Sequence, residues 1–475
     1  TEDKITHLST GDAVSTLLLS GEPLPGVEAL SPHPLEKYEK TMRRKVDGIV
    51  VDDAVKERLR NKRKEILDAG EEFNFFVAVD IGGTNTRVVF GFPDGQFFTI
   101  FKYQASDVPT LINGLSDISE QVKECVGNIS SAGAVVDVAG PVSDGGQKVE
   151  LTNYSGASAS RYLSTSELPL FLFPAGSTRF VNDLEAACFG LMKLDTMGEI
   201  DKYFCPLVDG SSDQKPNLVS GCTYVVVAVG TGLGSGVIKY KTGKLHEVVP
   251  LEAGHGMVAP IPPSSPHRAF NEEVIDYLSL RLYEGGHGIE WEDVCSGRGI
   301  ANCFAAIEYL KTGNDVPLVR HAPVIAGRAL SAQRAREHTI RRNPSVFAPQ
   351  QHQHHDNQAG EKADKAHQAI THIQHLPGPM TYAHDSLKTH YIYLARFSQE
   401  LAITFRADVV FWAGDNQVYN QNFVSAIAKD LRETFTSHPK QDWVKNVPIY
   451  TQCESVNINL LGALKVAQSI GTMED

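Results

Sequence analysis

The sequence is short of paired cysteines, of positive charge and of long apolar runs. Its seven cysteines (Cys125, Cys188, Cys205, Cys222, Cys295, Cys303 and Cys453) are scattered, odd in number and never spaced C-x-x-C. Neither a disulfide framework nor a structural zinc site is therefore expected, and buried reduced thiols are. The 44 Lys and Arg against 57 Asp and Glu leave a net charge of −13, which argues against a nucleic-acid partner or a membrane surface. The same charge means that any bound nucleotide must be held by local N–H groups and a metal ion. No apolar run approaches the length of a membrane span, no signal-peptide pattern opens the sequence, and the tail Gly471–Asp475 carries no retrieval or peroxisomal address. A cytoplasmic protein is the expectation. Neither the Walker A lysine pattern nor the G-x-G-x-x-G of dinucleotide folds is present.

What is present is an ordinary globular composition, with 42% hydrophobic and 21% charged residues over a length of 475. That length is long for one core and predicts two domains with a cleft between them. The organising stretch is Phe75–Arg87, where an apolar, β-branched run stops at Asp80 and turns through Gly82 and Gly83. The glycines allow a tight turn and close approach to a ligand. Thr84, Asn85 and Thr86 add donors that suit an anionic phosphate, although an ordinary Gly-Gly hairpin has the same look. A second strand, Tyr224–Val229, runs into Gly230-Thr231-Gly232 and out again through an apolar strand. Two such turns could grip one polyphosphate from opposite sides with backbone N–H groups.

At these two turns the sequence resembles the sugar-kinase branch of the actin, hexokinase and heat-shock ATPase superfamily. It is more similar still to bacterial-type glucokinases, including their protist relatives. The resemblance implies a two-domain α/β architecture, ribonuclease-H-like, with a cleft between a small and a large domain. The residue patterns fit. Alternating strands and helices run from Phe73 through a helix at Val108–Val126 and a strand at Ala134–Val138. Arg179–Ala187 is a strand meeting a helix, so Asp183 sits near the helix N-terminus, where the dipole favours its ionised form. By itself Asp183 reads as a helix cap. The resemblance makes it instead the catalytic base, with Asn182 and Asn153 holding the sugar. Glu252 and His255, spaced Glu-x-x-His, could be a metal pair on a helix, but the glycines between and after them favour a turn. In glucokinases this Glu and His both contact the hexose. Glu292, four residues before Ser296-Gly297, matches the family's further sugar glutamate better than Glu290 does. The resemblance assigns Asp80, Gly82, Gly83, Thr84, Asn85, Thr86, Gly230, Thr231 and Gly232 to ATP, with Mg²⁺ oriented through water by Asp80. Val409–Ala413 reads as a strand, and the resemblance implies that Gly414 with Asp415 after it forms the turn supporting the adenosine.

Two stretches lie outside the resemblance. Residues 1–72 precede the first core strand; within them Asp52 or Asp53 caps a helix running to Asp68, with Gly70 at its C′ position. Its apolar residues Val55, Leu59, Ile66 and Leu67 predict docking on its own domain rather than on a membrane. The His- and Gln-rich tract at about 333–378 could bind metal, but without regular spacing it reads as an exposed insertion. The expected domains are thus the 1–72 extension, a small domain at 73–192, a large domain at 193–455 and a terminal helix at 456–475 returning to the small domain. The expected reaction is ATP-dependent phosphorylation of glucose at its 6-hydroxyl, the first step of glycolysis. Another hexose such as mannose or glucosamine, or a non-catalytic sugar sensor, is the alternative. A homodimer is expected by analogy with the family.

Overall fold

The computed structural model describes residues 44–45, 48–82, 86–105, 107–152, 154, 158–207, 216–241, 246–260, 268–313, 325, 329 and 378–471. Gly83, Thr84, Asn85, Asn153 and the whole His-rich tract before Gly378 lie outside them.

The first half is built on β1 (Phe76–Ile81), β2 (Thr86–Gly91), β3 (Phe97–Tyr103), β4 (Gly133–Val138) and β8 (Thr178–Asn182), in the order β8-β4-β1-β2-β3. Every residue of β1 is buried, because helices cover both faces of the sheet. Val77, Val79 and Ile81 face the core shared with α2 (Val108–Val126). Phe76 and Ala78 face α10 (Ile458–Gly471) on the other side. Asp107 caps α2 by accepting from the Thr110 N–H at 2.8 Å, and Gly127 at φ 77° ends it, so the helix keeps its predicted bounds. A small sheet of β5 (Val142–Ser143), β6 (Lys148–Glu150) and β7 (Tyr162–Ser164) hangs below β4.

The N-terminal helix α1 (Asp53–Asp68) is capped by Asp52, and it docks on this half as expected, through Leu59 and Ile66. Leu67 is exposed instead of docked. Its place is taken by Lys62, whose stem is buried while its ammonium reaches Asp94 and Glu65, each at 2.7 Å.

The second half has the sheet β9-β14-β13-β10-β11-β12, from β9 (Phe204–Pro206), β10 (Thr223–Val229), β11 (Leu233–Lys239), β12 (Glu247–Leu251), β13 (Val409–Ala413) and β14 (Ile449–Gln452). One face packs on α4 (Arg268–Tyr283), α5 (Trp291–Cys295), α6 (Gly297–Thr312), α7 (Gly378–Phe405) and α9 (Ala428–Thr436). Pro448 just before β14 suggests an edge strand, but β14 is interior because β9 pairs with its outer side. Each large side chain fully buried in these cores contributes about 1.5–3 kcal/mol.

Two helices join the halves. Helix α3 (Asp183–Met197) lies on the second sheet, where Leu184 and Cys188 fill the space over Gly234 and Gly236. It runs on past residue 192, so a boundary placed there falls inside a helix. Helix α10 lies on the first sheet, against Gly91 and Gly133. Where α3 and α10 cross, a Cβ on Gly190 would sit 1.9 Å from the Ile458 carbonyl, and one on Gly462 1.8 Å from that of Ala186.

Candidate active site

Asp80, near the end of β1, and Glu252, just after β12, both act on the carboxyl of Asp183 at the start of α3. Asp80 ends β1 on the α10 side of its sheet. Its Oδ2 accepts from Arg87 Nη1 and from Asn457 Nδ2, both at 3.1 Å. Asn457 also caps α10, its Oδ1 accepting from the Leu460 N–H at 3.0 Å. One side chain thus ties the terminal helix to the first turn. In the parallel pairing of β1 with β4, Asp80 stands beside Asp137. Asp137 is fully buried, and neither of its carboxyl oxygens meets a donor. Burial, followed by the charges of Asp80 and Asp183, pushes it well above the usual carboxylate range, so it carries its proton. The only sequence signal for Asp137 is one acid inside an apolar strand.

Thr86 does not serve as a phosphate donor. It lies inside β2, 1% exposed, with its hydroxyl between those of the buried Tyr103 and Tyr154. Tyr154 comes from the segment that bears Asn153, and neighbouring Thr152 donates to the Ala139 carbonyl at 2.9 Å. The Gly140 carbonyl in turn accepts from Asn182 Nδ2 at 3.4 Å.

Asn182 is the N-cap of α3, its Oδ1 accepting from the Leu184 N–H at 2.9 Å. The capping role that Asp183 might fill is therefore occupied, and Asp183 is the first residue of the helix proper. Its carboxyl is raised to about 7 rather than held ionised. Burial is the main cause; the Leu184 N–H opposes it, and the charges of Asp80 and Glu252 add to it. Desolvation and two like charges outweigh the helix dipole here.

The second turn is gripped from three directions. The Gly230 carbonyl accepts from the Gly297 N–H at 2.8 Å, which puts the N-terminus of α6 against the turn. Gly414, at φ 105°, puts the N-terminus of α8 (Asp415–Ala426) beside the Val229 carbonyl, where a Cβ would stand 2.5 Å away. The Gly414 N–H is held by Gln452 Oε1 at 2.8 Å, and Asp415 accepts from the Ser455 hydroxyl at 3.3 Å. Behind them His390, fully buried and lowered to about 4 by that burial, donates from Nδ1 to the Val294 carbonyl at 2.8 Å. Its Nε2 accepts from Asn416 at 3.3 Å, so one neutral imidazole joins α5 to α8.

Glu252 and His255 sit on a single 3-10 turn, Ala253–His255, as the glycines predict. Gly254 packs against the Leu233 carbonyl, where a Cβ would be 2.3 Å away. His255 Nδ1 donates to Glu290 at 2.7 Å, and this bond is the largest cause of its raised pKa. The partner of His255 is therefore Glu290, which the spacing argument set aside. Glu292 faces the second turn: its Oε2 accepts from the Leu233 N–H at 2.9 Å, and Oε1 from Arg298. A Cβ on Gly232 would lie 2.6 Å from that carboxylate, so Glu292 requires glycine there. Glu290, Arg298, Asp137 and Asn457 are the site residues the sequence reading left out. Among the described residues no three or more His, Cys, Asp or Glu side chains form a metal cage. Asp80, with one carboxylate oxygen directed by Arg87 and Asn457, fits a cation that keeps its own waters.

Comparison with known proteins agrees with this layout. The glucokinase family model matches residues 77–343. A probable glucokinase 2 of Trichomonas vaginalis is 29% identical over 399 residues, covering 83% of this chain and 92% of that protein. A glucokinase of Balamuthia mandrillaris, solved in complex with glucose, is 30% identical with a TM-score of 0.72, covering 88% of this chain and all of that one. Leishmania braziliensis glucokinase shares the fold at 21% identity and a TM-score of 0.62.

Proposed function

The chain belongs to the glucokinase family, with the actin-like ATPase fold of its members, and from that membership we propose how its cleft works. The protein phosphorylates glucose at the 6-hydroxyl. In our reading the donor is ATP, its phosphates lying between the turns at Asp80–Thr86 and Gly230–Gly232 and its adenosine against Gly414 and Asp415. Mg²⁺ would be held through water by Asp80, and when bound it supplies charge neutralisation on the phosphates.

Asp183 accepts the proton of the 6-hydroxyl as that oxygen attacks the γ-phosphorus; the bond to the β–γ bridging oxygen breaks and ADP leaves. The observation that carries this reading is the Asp183 carboxyl. It shares the Leu184 N–H with the capping Asn182 and is still raised to about 7, a value suited to taking a proton near neutrality. Asn153, Asn182, Glu252, His255 and Glu292 form the hydroxyl cage in this reading, and Glu290 orients His255. Closure of the two halves over the sugar would exclude water that otherwise hydrolyses the donor.

A glycolytic role in the cytoplasm and a homodimeric state complete the proposal by analogy with the family; sedimentation of the purified protein tests the dimer. The chemistry is tested by a coupled assay of ADP release over a panel of hexoses. Glucose-dependent ADP formation is expected, and its absence would sink the reading.

A further inference from the structure

We propose that Arg298 is the phosphate-side cation of this cleft: Glu292 holds it until sugar binds, and it then turns to the triphosphate of the nucleotide. The inference rests on the sugar-kinase reading above and adds to it a residue that couples the two substrates.

The argument starts from charge. Asp80, Asp183, Glu252, Glu290 and Glu292 surround the place where a polyanion must sit, in a chain of net charge −13. Neither Gly-rich turn carries a lysine. Among the described residues, the cations that hydrogen bonds and ion pairs place among these acids are Arg87, His255 and Arg298. Arg87 is fixed on Asp80 within its own strand pairing, and His255 is fixed on Glu290. Arg298, held on Glu292, is 52% exposed, close to the 57% of His255, and what sets it apart is its place at the N-terminus of α6 against the second turn.

Position strengthens the case. Arg298 is the second residue of α6, directly after the Gly297 whose N–H binds the Gly230 carbonyl at 2.8 Å. Its guanidinium therefore hangs from a helix N-terminus that touches the second turn, where a phosphate also gains from the dipole. Glu292 bridges the two, one oxygen on Arg298 and the other on the Leu233 N–H just past the turn. Solvent reaches the Arg298 end of this pair and weakens it, whereas a guanidinium on phosphate oxygens makes short, charge-assisted and often bidentate bonds. Sugar hydroxyls donated to Glu292 satisfy the same carboxylate that now binds Arg298. Each substrate then favours one arrangement of the pair, and linkage makes the effect reciprocal.

The test uses the full chain. Binding of a non-hydrolysable ATP analogue with Mg²⁺ is measured by calorimetry with and without saturating glucose, and glucose binding is followed by the tryptophan fluorescence of the Trp412→Phe, Trp443→Phe protein, in which Trp291, between Glu290 and Glu292, is the one tryptophan left. Wild type should bind the analogue at least about fivefold more tightly with glucose present. In Arg298→Gln the affinity without glucose should stay within about twofold, while the enhancement disappears and kcat falls by about tenfold or more. Arg298→Lys should recover part of the enhancement, because it keeps the charge but not the planar fork. An enhancement missing from wild type, or intact in Arg298→Gln, overturns the proposal. So does a rise in glucose KM alone with the enhancement intact, since Arg298 would then only position Glu292. A wild type that binds no glucose at all would instead remove the sugar-kinase reading, an outcome the fluorescence arm identifies separately.

Discussion

The raised carboxyl of Asp183 makes a quantitative demand on the pH dependence of the enzyme. With its pKa near 7, Asp183 is about half ionised at pH 7, about a tenth at pH 6 and about a hundredth at pH 5. If only the ionised form takes the sugar proton, kcat/KM for glucose should be level above about pH 8 and fall about tenfold per unit below pH 6. His255, raised by its bond to Glu290, is a second titrating group and needs a control. Asp183→Asn supplies it: kcat should drop by about 10²–10⁴, and the remaining activity should lose the acid-side slope. A second consequence concerns stability. A carboxyl raised in the folded state keeps its proton on folding, so the contribution of this group is full below its unfolded pKa near 4 and is lost as pH rises through about 7. The shift from 3.8 to about 7 corresponds to an upper bound of about 4 kcal/mol. Asp183→Asn, which leaves the Asn182 cap intact, should therefore melt at a higher temperature than wild type at pH 8 and at a similar one at pH 4. A kcat/KM profile level from pH 8 to 5, or a variant within threefold of wild type in kcat, would refute the reasoning.

Other outcomes follow from neighbouring residues. Glu252→Gln should raise the glucose KM, since a charged acceptor for buried hydroxyls contributes about 1.5–3 kcal/mol, and steady-state kinetics read it directly. Asp137→Asn keeps a neutral group beside Asp80 and should hold activity within about threefold, whereas Asp137→Leu, which removes that polar neighbour, should reduce it more and alter the Mg²⁺ concentration needed for half-maximal rate. Gly414→Ala meets both a φ of 105° and the Val229 carbonyl, so it should weaken nucleotide binding by about tenfold in calorimetry while sparing glucose binding. A chelator should abolish turnover and Mg²⁺ restore it, with no need for zinc.

Much of this site is legible in the order of the chain, because strand-to-turn chemistry is local. The runs Phe75–Ile81 and Tyr224–Val229 could only be buried strands, and the glycines after them could only be turns. Asp183 is legible as the start of a helix, but its protonation is not. Helix position predicts a stabilised anion, and the result is reversed chiefly by burial, with Asp80 and Glu252, neither of which is near in sequence, adding to it. Thr86 shows the opposite limit. Its hydroxyl looks available in the sequence, yet strand pairing turns it inward, between Tyr103 and Tyr154. Asp137 meets Asp80 only through the register of β4 with β1, which no local pattern encodes. Glu290 and Glu292 are two residues apart and serve different neighbours, so spacing to Ser296 finds one and misses the pairing of the other with His255.

The crossing of α3 and α10 has a mechanical meaning. Gly190 and Gly462 put backbone against backbone at the crossing point, and the side chains packed around it, Leu184 and Leu191 with Ile458 and Leu461, stand to its sides. Interlocked side chains would make such a joint a ratchet, able to rest only at the few angles where knobs find holes. A crossing of backbone on backbone is instead closer to a plain bearing, and one sheet is expected to pivot toward the other about that point. Asp183 opens the helix on one side of that point, and Asn457, bonded to Asp80, caps the helix on the other. The base and the first turn therefore ride on opposite members of the same bearing, and its angle sets the distance between them.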